Sequence, residues 1–462
     1  MDRVLDFVNA LLGYGPAVFL PLIIFILGLV VGLKPAKAFR AGLTIGIGFT
    51  GLLLVIQHLI GAQVGPAAQA MIERTGLHLE YFDIGWTPAA AISFAWPVAV
   101  IMFPLQIAIN LVMLFFGWTK TLNVDMWNVW VKAYLGGLAV QILGPNYLII
   151  FVLASVMIIL ELKLGDWTAY MVQDFVGVPG ISIPHSTVLN LLIAAPIDWV
   201  VDKIPGINKI KADPETLRTR FGFLGENMTV GLIVGILLGI LAGYDLKGVV
   251  QLAIVAAATL TLLPRMAVLF MEGLAPISEA AGEFMKKRLP GREVFIGLDW
   301  PILAGNPATY AAGILFVPIT LLLALVLPGN KTLPFGSLGD PWVISMVGVM
   351  VGGDLLRMVI SGTFVTAVLL ITATYFAPAL TAFAQSVAFE MPAGSNFITW
   401  IGTMPYHMAA MEIGKLALTS ILWVVGLAAL VYLAYIILKP REEAAKRRLA
   451  AKGMLFGGKE GE

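Results

Sequence analysis

The sequence predicts an all-α polytopic membrane protein: two inverted repeats with re-entrant or broken helices, plus a final C-terminal helix, about eleven spans in all. Three observations carry this. The 462 residues are 59% hydrophobic and only 12% charged, with a mean hydropathy of +0.92, against about 25% charged in soluble domains. Short motifs recur in order at one offset of about 210 residues. Basic loops alternate between the two halves.

The elements follow in chain order. The first apolar run, Phe19 to Leu33, lacks a small-residue cleavage site and reads as a retained helix rather than a signal peptide. Gly28 and Gly32 near its end match Gly239 and Gly243. Gly65-Pro66 matches Ala275-Pro276, Lys120-Thr121-Leu122 matches Lys331-Thr332-Leu333, and Val178-Pro179 matches Met391-Pro392. This ordered series defines a first repeat over 15–203, a connector over 204–224, a second repeat over 225–415, a final transmembrane helix over 418–438 and a tail over 439–462. Pro88 to Phe116 and Pro341 to Phe376 are too long for single spans and are interrupted by Gly and Pro, as broken segments facing a cavity are.

Charge sets the orientation. The first loop carries Lys34, Lys37 and Arg40, whereas its counterpart Tyr244 to Lys247 has no net charge. The later loop is mixed in repeat one (Glu73, Arg74) and basic in repeat two (Lys286, Lys287, Arg288). Cytoplasmic loops are rich in Lys and Arg, so the halves have opposite orientation. The connector and the tail are expected in the cytoplasm and the N-terminus outside.

Polar residues inside spans are the functional candidates. His185, in Gly180 to Ser186, suits a hydroxyl because imidazole both donates and accepts; a helix-start histidine held by backbone is the other reading. Ser186 adjoins it. Asp299 precedes Trp300-Pro301, where an N-cap and a ligand role are both open. Asn306 follows one or two turns later, and Asp83 to Trp86 is the matching place in repeat one. Gln141 is a carboxamide in an apolar run. Asp354 and Arg357, three apart, are expected to neutralise one another, and His407 and Glu412 are interface candidates. No phosphate-binding Gly loop, metal-ligand cluster or catalytic triad occurs in the sequence, so no cofactor, no metal and no catalysis by this chain alone are expected. Without cysteine, thiolate chemistry is excluded. A net charge of +1 gives no field for nucleic acid. These residues alone give a transporter of an uncharged or weakly charged polar solute.

Several segments resemble the membrane (IIC) component of galactitol phosphotransferase systems. They include Ala38 to Phe49, Asn123 to Trp130, Leu164 to Trp167, Ile183-Pro184-His185, Lys203 to Lys211, Leu241 to Val249, Ile296 to Asp299 and Pro328 to Gly336. The resemblance implies a bacterial cell (inner) membrane permease carrying galactitol or a related polyol inward while soluble IIA and IIB proteins pass phosphate to it. The wider superfamily includes the ascorbate permeases, which implies a homodimer. Its substrate positions fall at Gln141, His185 and Asp299 here; Asn306, Trp86 and Ser186 are added to these as candidate substrate contacts from the residues themselves. Two departures concern the polyol: Gly305-Asn306 replaces a Gly-His pair, and Asp354 stands where an amide is expected. The competing class is an ion-coupled secondary transporter using Asp299 or Asp354; a channel is a third.

Overall fold

The computed structural model describes residues 32–54, 81–123, 128–207, 227–288, 293–334, 342–387 and 397–455, with isolated positions between them such as Asp125 and Ser337. About half of the apolar run Phe19 to Leu33, and most of the 204–224 connector, lies outside the described residues.

The chain is mostly helical, as its composition requires of a protein in lipid, where backbone groups must be paired internally. In order come α1 (Pro35–Leu54), β1 (Tyr81–Asp83), α2 (Trp86–Ala95), α3 (Met102–Phe115), β2 (Thr121–Asn123), α4 (Val129–Leu143), α5 (Tyr147–Val176), β3 (Ile181–Ser182) and α6 (Leu191–Val201). Then follow α7 (Asn227–Leu241), α8 (Leu246–Arg288), β4 (Phe295–Gly297), α9 (Pro307–Val326), β5 (Thr332–Leu333), α10 (Trp342–Val351), α11 (Leu355–Ser386), β6 (Phe397–Thr399), α12 (Pro405–Gly414) and α13 (Ser420–Ala451). Among the described residues four helical stretches are long and apolar enough to cross a bilayer: Pro97–Phe115, α5, α11 and α13. A fifth, α9, bends by 40° where Pro318 interrupts its ladder. Shorter apolar helices, among them α4 and α10, complete the apolar mass. This is a polytopic membrane protein.

The helix ends obey local rules. Asn146 caps α5 by accepting from the Ile149 amide, and Gly177, at φ 74°, closes it in the left-handed conformation open to glycine. Asp354 caps α11, accepting from the backbone N–H of Arg357 at 3.1 Å. The expected neutralisation of Asp354 by Arg357 is therefore corrected. The Arg357 guanidinium turns to α6, donating to both oxygens of buried Asp198 at 2.8 and 2.6 Å and lying 3.2 Å from Asp202. A cap needs its carboxylate at the helix end, and a fork-shaped guanidinium binds a fixed carboxylate better than a local one.

Two small parallel sheets stand where the broken helices meet. In one, β1 lies between β5 and β6; in the other, β4 lies between β2 and β3. Each central strand thus comes from one half of the chain and both of its neighbours from the other half. The strand starts run in pairs: 81 and 295, 121 and 332, 181 and 397, a spacing of 211–216 residues. Two- and three-residue strands contribute little binding energy. They pair backbone groups at the ends of the short helices that flank them.

The core is centred on α4, α5, α10 and α11, with Tyr134, Met102, Phe376 and Phe383 fully buried. Gly136 and Gly137 let α4 approach the rings of Trp96 and Phe383, the use of small residues in membrane packing. The last helix does not stop at 438. It continues to Ala451, and its polar end is tied to α5: Glu442 accepts from the amides of Tyr170 and Met171 at 2.8 and 3.0 Å, and Arg448 and Lys452 pair with Asp174 at 2.6 and 2.8 Å. Arg441 joins Arg357 on Asp198 at 2.5 Å.

Candidate functional site

The sheet formed by β2, β4 and β3 gathers the polar residues. The strands lead into them: β2 to Asp125 and Asn128, β4 to Asp299, and β3 to His185. The strand register fixes their relative positions, pairing Asn123 with Gly297 and Ser182 with Gly297. The sheet is pinned from the side by Asn110, which donates to the carbonyl of Thr121 at 2.7 Å and accepts from the Asn123 amide at 2.9 Å.

His185 Nε2 lies 3.5 Å from Asp299 Oδ1. Its other ring nitrogen, Nδ1, accepts from the Thr187 amide at 3.0 Å. A nitrogen that accepts carries no proton, so the neutral ring holds its proton on Nε2, facing the carboxylate. Asp299 is also a cap: Oδ1 accepts from the Trp300 amide at 2.6 Å, opening the short helical turn Trp300–Gly305. The two readings of Asp299 are therefore not exclusive. A third contact, from Asn128 Nδ2 at 3.3 Å, also falls on Oδ1. Among the described residues none reaches Oδ2.

Asn128 is a residue that the sequence reading did not single out. Its amide donates to Asp125 Oδ2 as well as to Asp299, so it bridges two carboxylates that would otherwise repel. Its Oδ1 is buried and has no hydrogen-bond partner among the described residues. One turn along α4, Lys132 Nζ lies 3.3 Å from the Asn128 carbonyl and 2.5 Å from Glu161 Oε2 on α5. Asp125, Asn128, Lys132, Glu161, His185 and Asp299 are all at least nine-tenths buried. Three carboxylates thus face one ammonium and one imidazole in a low-dielectric interior. A neutral group rich in O–H donors is matched to this site, because an ionised carboxylate only accepts.

The other sequence candidates fall at several places. Ser186 is buried directly after His185, at the start of the 3-10 turn Ser186–Asn190 that leads into α6. Thr187, next along, donates to the Trp342 carbonyl at 2.8 Å and ties this tip to α10. Asn306 caps α9, accepting from the Ala308 amide at 2.9 Å and donating to the Phe175 carbonyl at 3.1 Å. Trp86 opens α2 beside the other sheet and is half-buried. Gln141 is exposed near the C-terminal end of α4, about 20 Å along the helix from Asn128 at 1.5 Å per residue. The structure therefore brings His185, Ser186 and Asp299 together, and leaves Gln141 apart from them.

Asp83, at the end of β1, is wired differently. It accepts from the Ser337 amide and hydroxyl at 2.6 and 3.1 Å, the Ile401 amide at 3.1 Å and the Gly85 amide at 3.4 Å. Its bonding capacity is engaged by the protein. His407 is buried among the rings of Tyr134, Phe376 and Tyr406, and Glu412 pairs with Lys415 at 2.5 Å.

Comparison with known proteins places this geometry in context. A galactitol-specific EIIC component of a PTS system from Escherichia coli (strain K12) is 37% identical over 401 residues, covering 85% of this chain and 88% of that protein. The galactitol-specific EIIC component of Escherichia coli O157:H7 matches to the same extent. A further Escherichia coli (strain K12) protein, named only provisionally as a permease IIC component and with no substrate, is 38% identical over 430 residues, 92% of this chain and 97% of its own length. The model of one permease family, EIIC-GAT, matches residues 10–394. With most of its length matched in this way, the chain belongs to the family of PTS system sugar-specific permease components.

Proposed function

We propose that this chain is the membrane permease of a phosphoenolpyruvate-dependent phosphotransferase system, carrying galactitol or a closely related acyclic polyol inward for phosphorylation by a soluble IIB protein that IIA recharges. The observation that carries the substrate class is the convergence of His185 Nε2 on Asp299 Oδ1 at 3.5 Å beside the Asn128 bridge. This cluster offers one hydroxyl-directed donor and a surplus of acceptors, the inverse of a polyol's many O–H groups. The proposed contacts are Asp299, His185, Asn128 and Ser186. Asn306, which follows the Asp299 turn, and Trp86, which opens α2 beside the other sheet, are kept as further candidate contacts. The galactitol names of two relatives supply the specific polyol.

The architecture proposed is two inverted repeats, 15–203 and 225–415, with a final helix, about eleven crossings in all. The interleaved sheets support it. Exchanging β1 with β4, β2 with β5 and β3 with β6 turns the order β5-β1-β6 into β2-β4-β3, which is the second sheet. The alternating basic loops support an external N-terminus and a cytoplasmic C-terminus in a bacterial inner membrane, and the working unit is proposed to be a homodimer. Reporter fusions at Lys37, in the 204–224 connector, at Lys287 and after Lys446 are expected to register cytoplasm, and one at Tyr244 the outside. An external Lys287 overturns the inverted repeat.

Coupling is tested in vesicles. Labelled galactitol is expected to accumulate as its phosphate only with IIB and already phosphorylated IIA present. The purified chain with ATP alone is expected to form none, because it has neither a phosphoacceptor cysteine nor a nucleotide loop. Accumulation of unmodified polyol driven by membrane potential alone overturns the proposal.

A further inference from the structure

A cavity whose lining shares no residue with the polar cluster lies between α5, α13 and the segment after α3. It has a volume of about 300 Å³ and is lined by the segment after α3 (Gly117 to Lys120), by Lys163, Asp166, Trp167 and Tyr170 of α5, by Phe295, and by Tyr435, Lys439 and Glu442 of α13. That volume is at the small end of ligand pockets, which run from about 300 to 1,000 Å³.

The level of this cavity in the membrane follows from its walls. The apolar helix α3 ends at Phe115 and Phe116, 76% and 58% exposed, and Trp118 beside them is 59% exposed. The apolar part of α13 ends at Leu438, and Lys439 is the next residue. Trp, Tyr and Lys at the ends of apolar helices mark the boundary between hydrocarbon and headgroups. Below the cavity, α5 and α13 run side by side, and each presents an apolar face to the bilayer. Val152, Val156 and Ile159 lead to Lys163 at helical spacing, and Tyr432 and Ile436 lead to Lys439.

The charges in the lining are not equivalent. Both carboxylates are engaged by the protein: Asp166 Oδ1 accepts from Thr119, the Lys120 amide and Thr121 at 3.0, 3.0 and 2.9 Å, and Glu442 accepts the two α5 amides described above. The ammonium groups are less committed. Lys120 lies 3.0 Å from Glu293. Lys163 donates to the Trp118 carbonyl at 2.8 Å and is 3.9 Å from Asp166. Lys439 faces the Tyr435 ring at 5.6 Å and has no carboxylate partner among the described residues. The lining therefore offers N–H donors and little acceptor capacity, the complement of a phosphodiester, which only accepts.

We propose that this cavity binds the headgroup of an anionic phospholipid, with the phosphate between Lys163 and Lys439 and the acyl chains along the apolar faces of α5 and α13. A lipid is favoured over a free phosphate because the donors stand directly above continuous exposed apolar surface. Lipid occupancy would brace α13, whose polar end is otherwise held to α5 by ion pairs. The proposal rests on the membrane setting and is independent of which polyol the polar cluster takes.

Native mass spectrometry of the purified full chain tests it, with phosphatidylglycerol, phosphatidylcholine and inorganic phosphate as probes. Wild type is expected to retain phosphatidylglycerol in preference to phosphatidylcholine, and Lys163→Gln/Lys439→Gln to retain it about tenfold less or weaker still, since each Lys near an anionic surface adds to binding. Thermal unfolding and galactitol titration of the lipid-free variant are expected to match wild type. Equal retention by wild type and variant overturns the proposal, as does equal retention of the two lipids. Competition of inorganic phosphate for the same lysines, without lipid preference, also overturns it and assigns the site to free phosphate. If the double variant does not fold, Lys439→Gln at its exposed position decides alone.

Discussion

Replacing Asp299 by Asn is expected to weaken galactitol binding by about 10- to 100-fold while leaving the protein folded. The substitution isolates one atom. The amide oxygen of Asn can keep the contacts that fall on Oδ1, from Trp300, Asn128 and His185, so the cap on the Trp300–Gly305 turn survives; Asn caps about as well as Asp. The other atom changes from an ionised acceptor, Oδ2, to an N–H donor. A polyol hydroxyl that donates to Oδ2 loses a charge-assisted bond of about 1.5–3 kcal/mol, and about 1.4 kcal/mol is one decade in affinity. Calorimetric titration of the purified variant reads the result. Unchanged affinity reduces Asp299 to a cap and removes it from the proposed contacts.

The polar cluster was partly legible before the structure. His185 and Asp299 stood out because each sits beside Pro or Gly in an otherwise apolar run, a local signal. That they lie 3.5 Å apart was not legible, because 114 residues separate 185 from 299 and the pairing is made by the register of β3 on β4. An offset of about 210 was read from motifs, and the strand starts are spaced by 211–216 residues, which supports the proposed repeat. The interleaving of strands from the two halves is a tertiary fact with no local trace. Gln141 was singled out because an unpaired carboxamide in an apolar run is costly, an argument that assumes burial; the end of α4 leaves it exposed. Arg357 was expected to pair with its neighbour at helical spacing, but capping of α11 by Asp354 and the buried carboxylate of Asp198 compete more strongly. Asn128 was passed over inside Asn123 to Trp130, a segment read only for its family resemblance. Lys132 and Glu161 were passed over because they lie 29 positions apart in the chain, with no local sign that they pair.

That last pair gives the largest expected effect on stability. Replacing Glu161 by Leu is expected to destabilise the protein by about 3–5 kcal/mol, the cost of leaving one partner of a buried ion pair uncompensated. Lys132 Nζ and Glu161 Oε2 lie 2.5 Å apart with side chains 0% and 1% exposed, so neither water nor lipid headgroups can take over the lost partner. Lys132→Met alone is expected to cost a similar amount by stranding Glu161. The double variant Lys132→Met/Glu161→Leu is expected to recover most of the loss, because apolar residues of similar volume replace a buried pair at little net cost and without its desolvation. Thermal unfolding of the three variants in detergent measures this. The double variant also separates stability from function. The bond from Lys132 to the Asn128 carbonyl is gone in it, so its galactitol affinity is expected to fall even as its stability returns. Full recovery of both would make the pair a packing device alone; additive losses in the double variant would show that the two charges do not act as a pair.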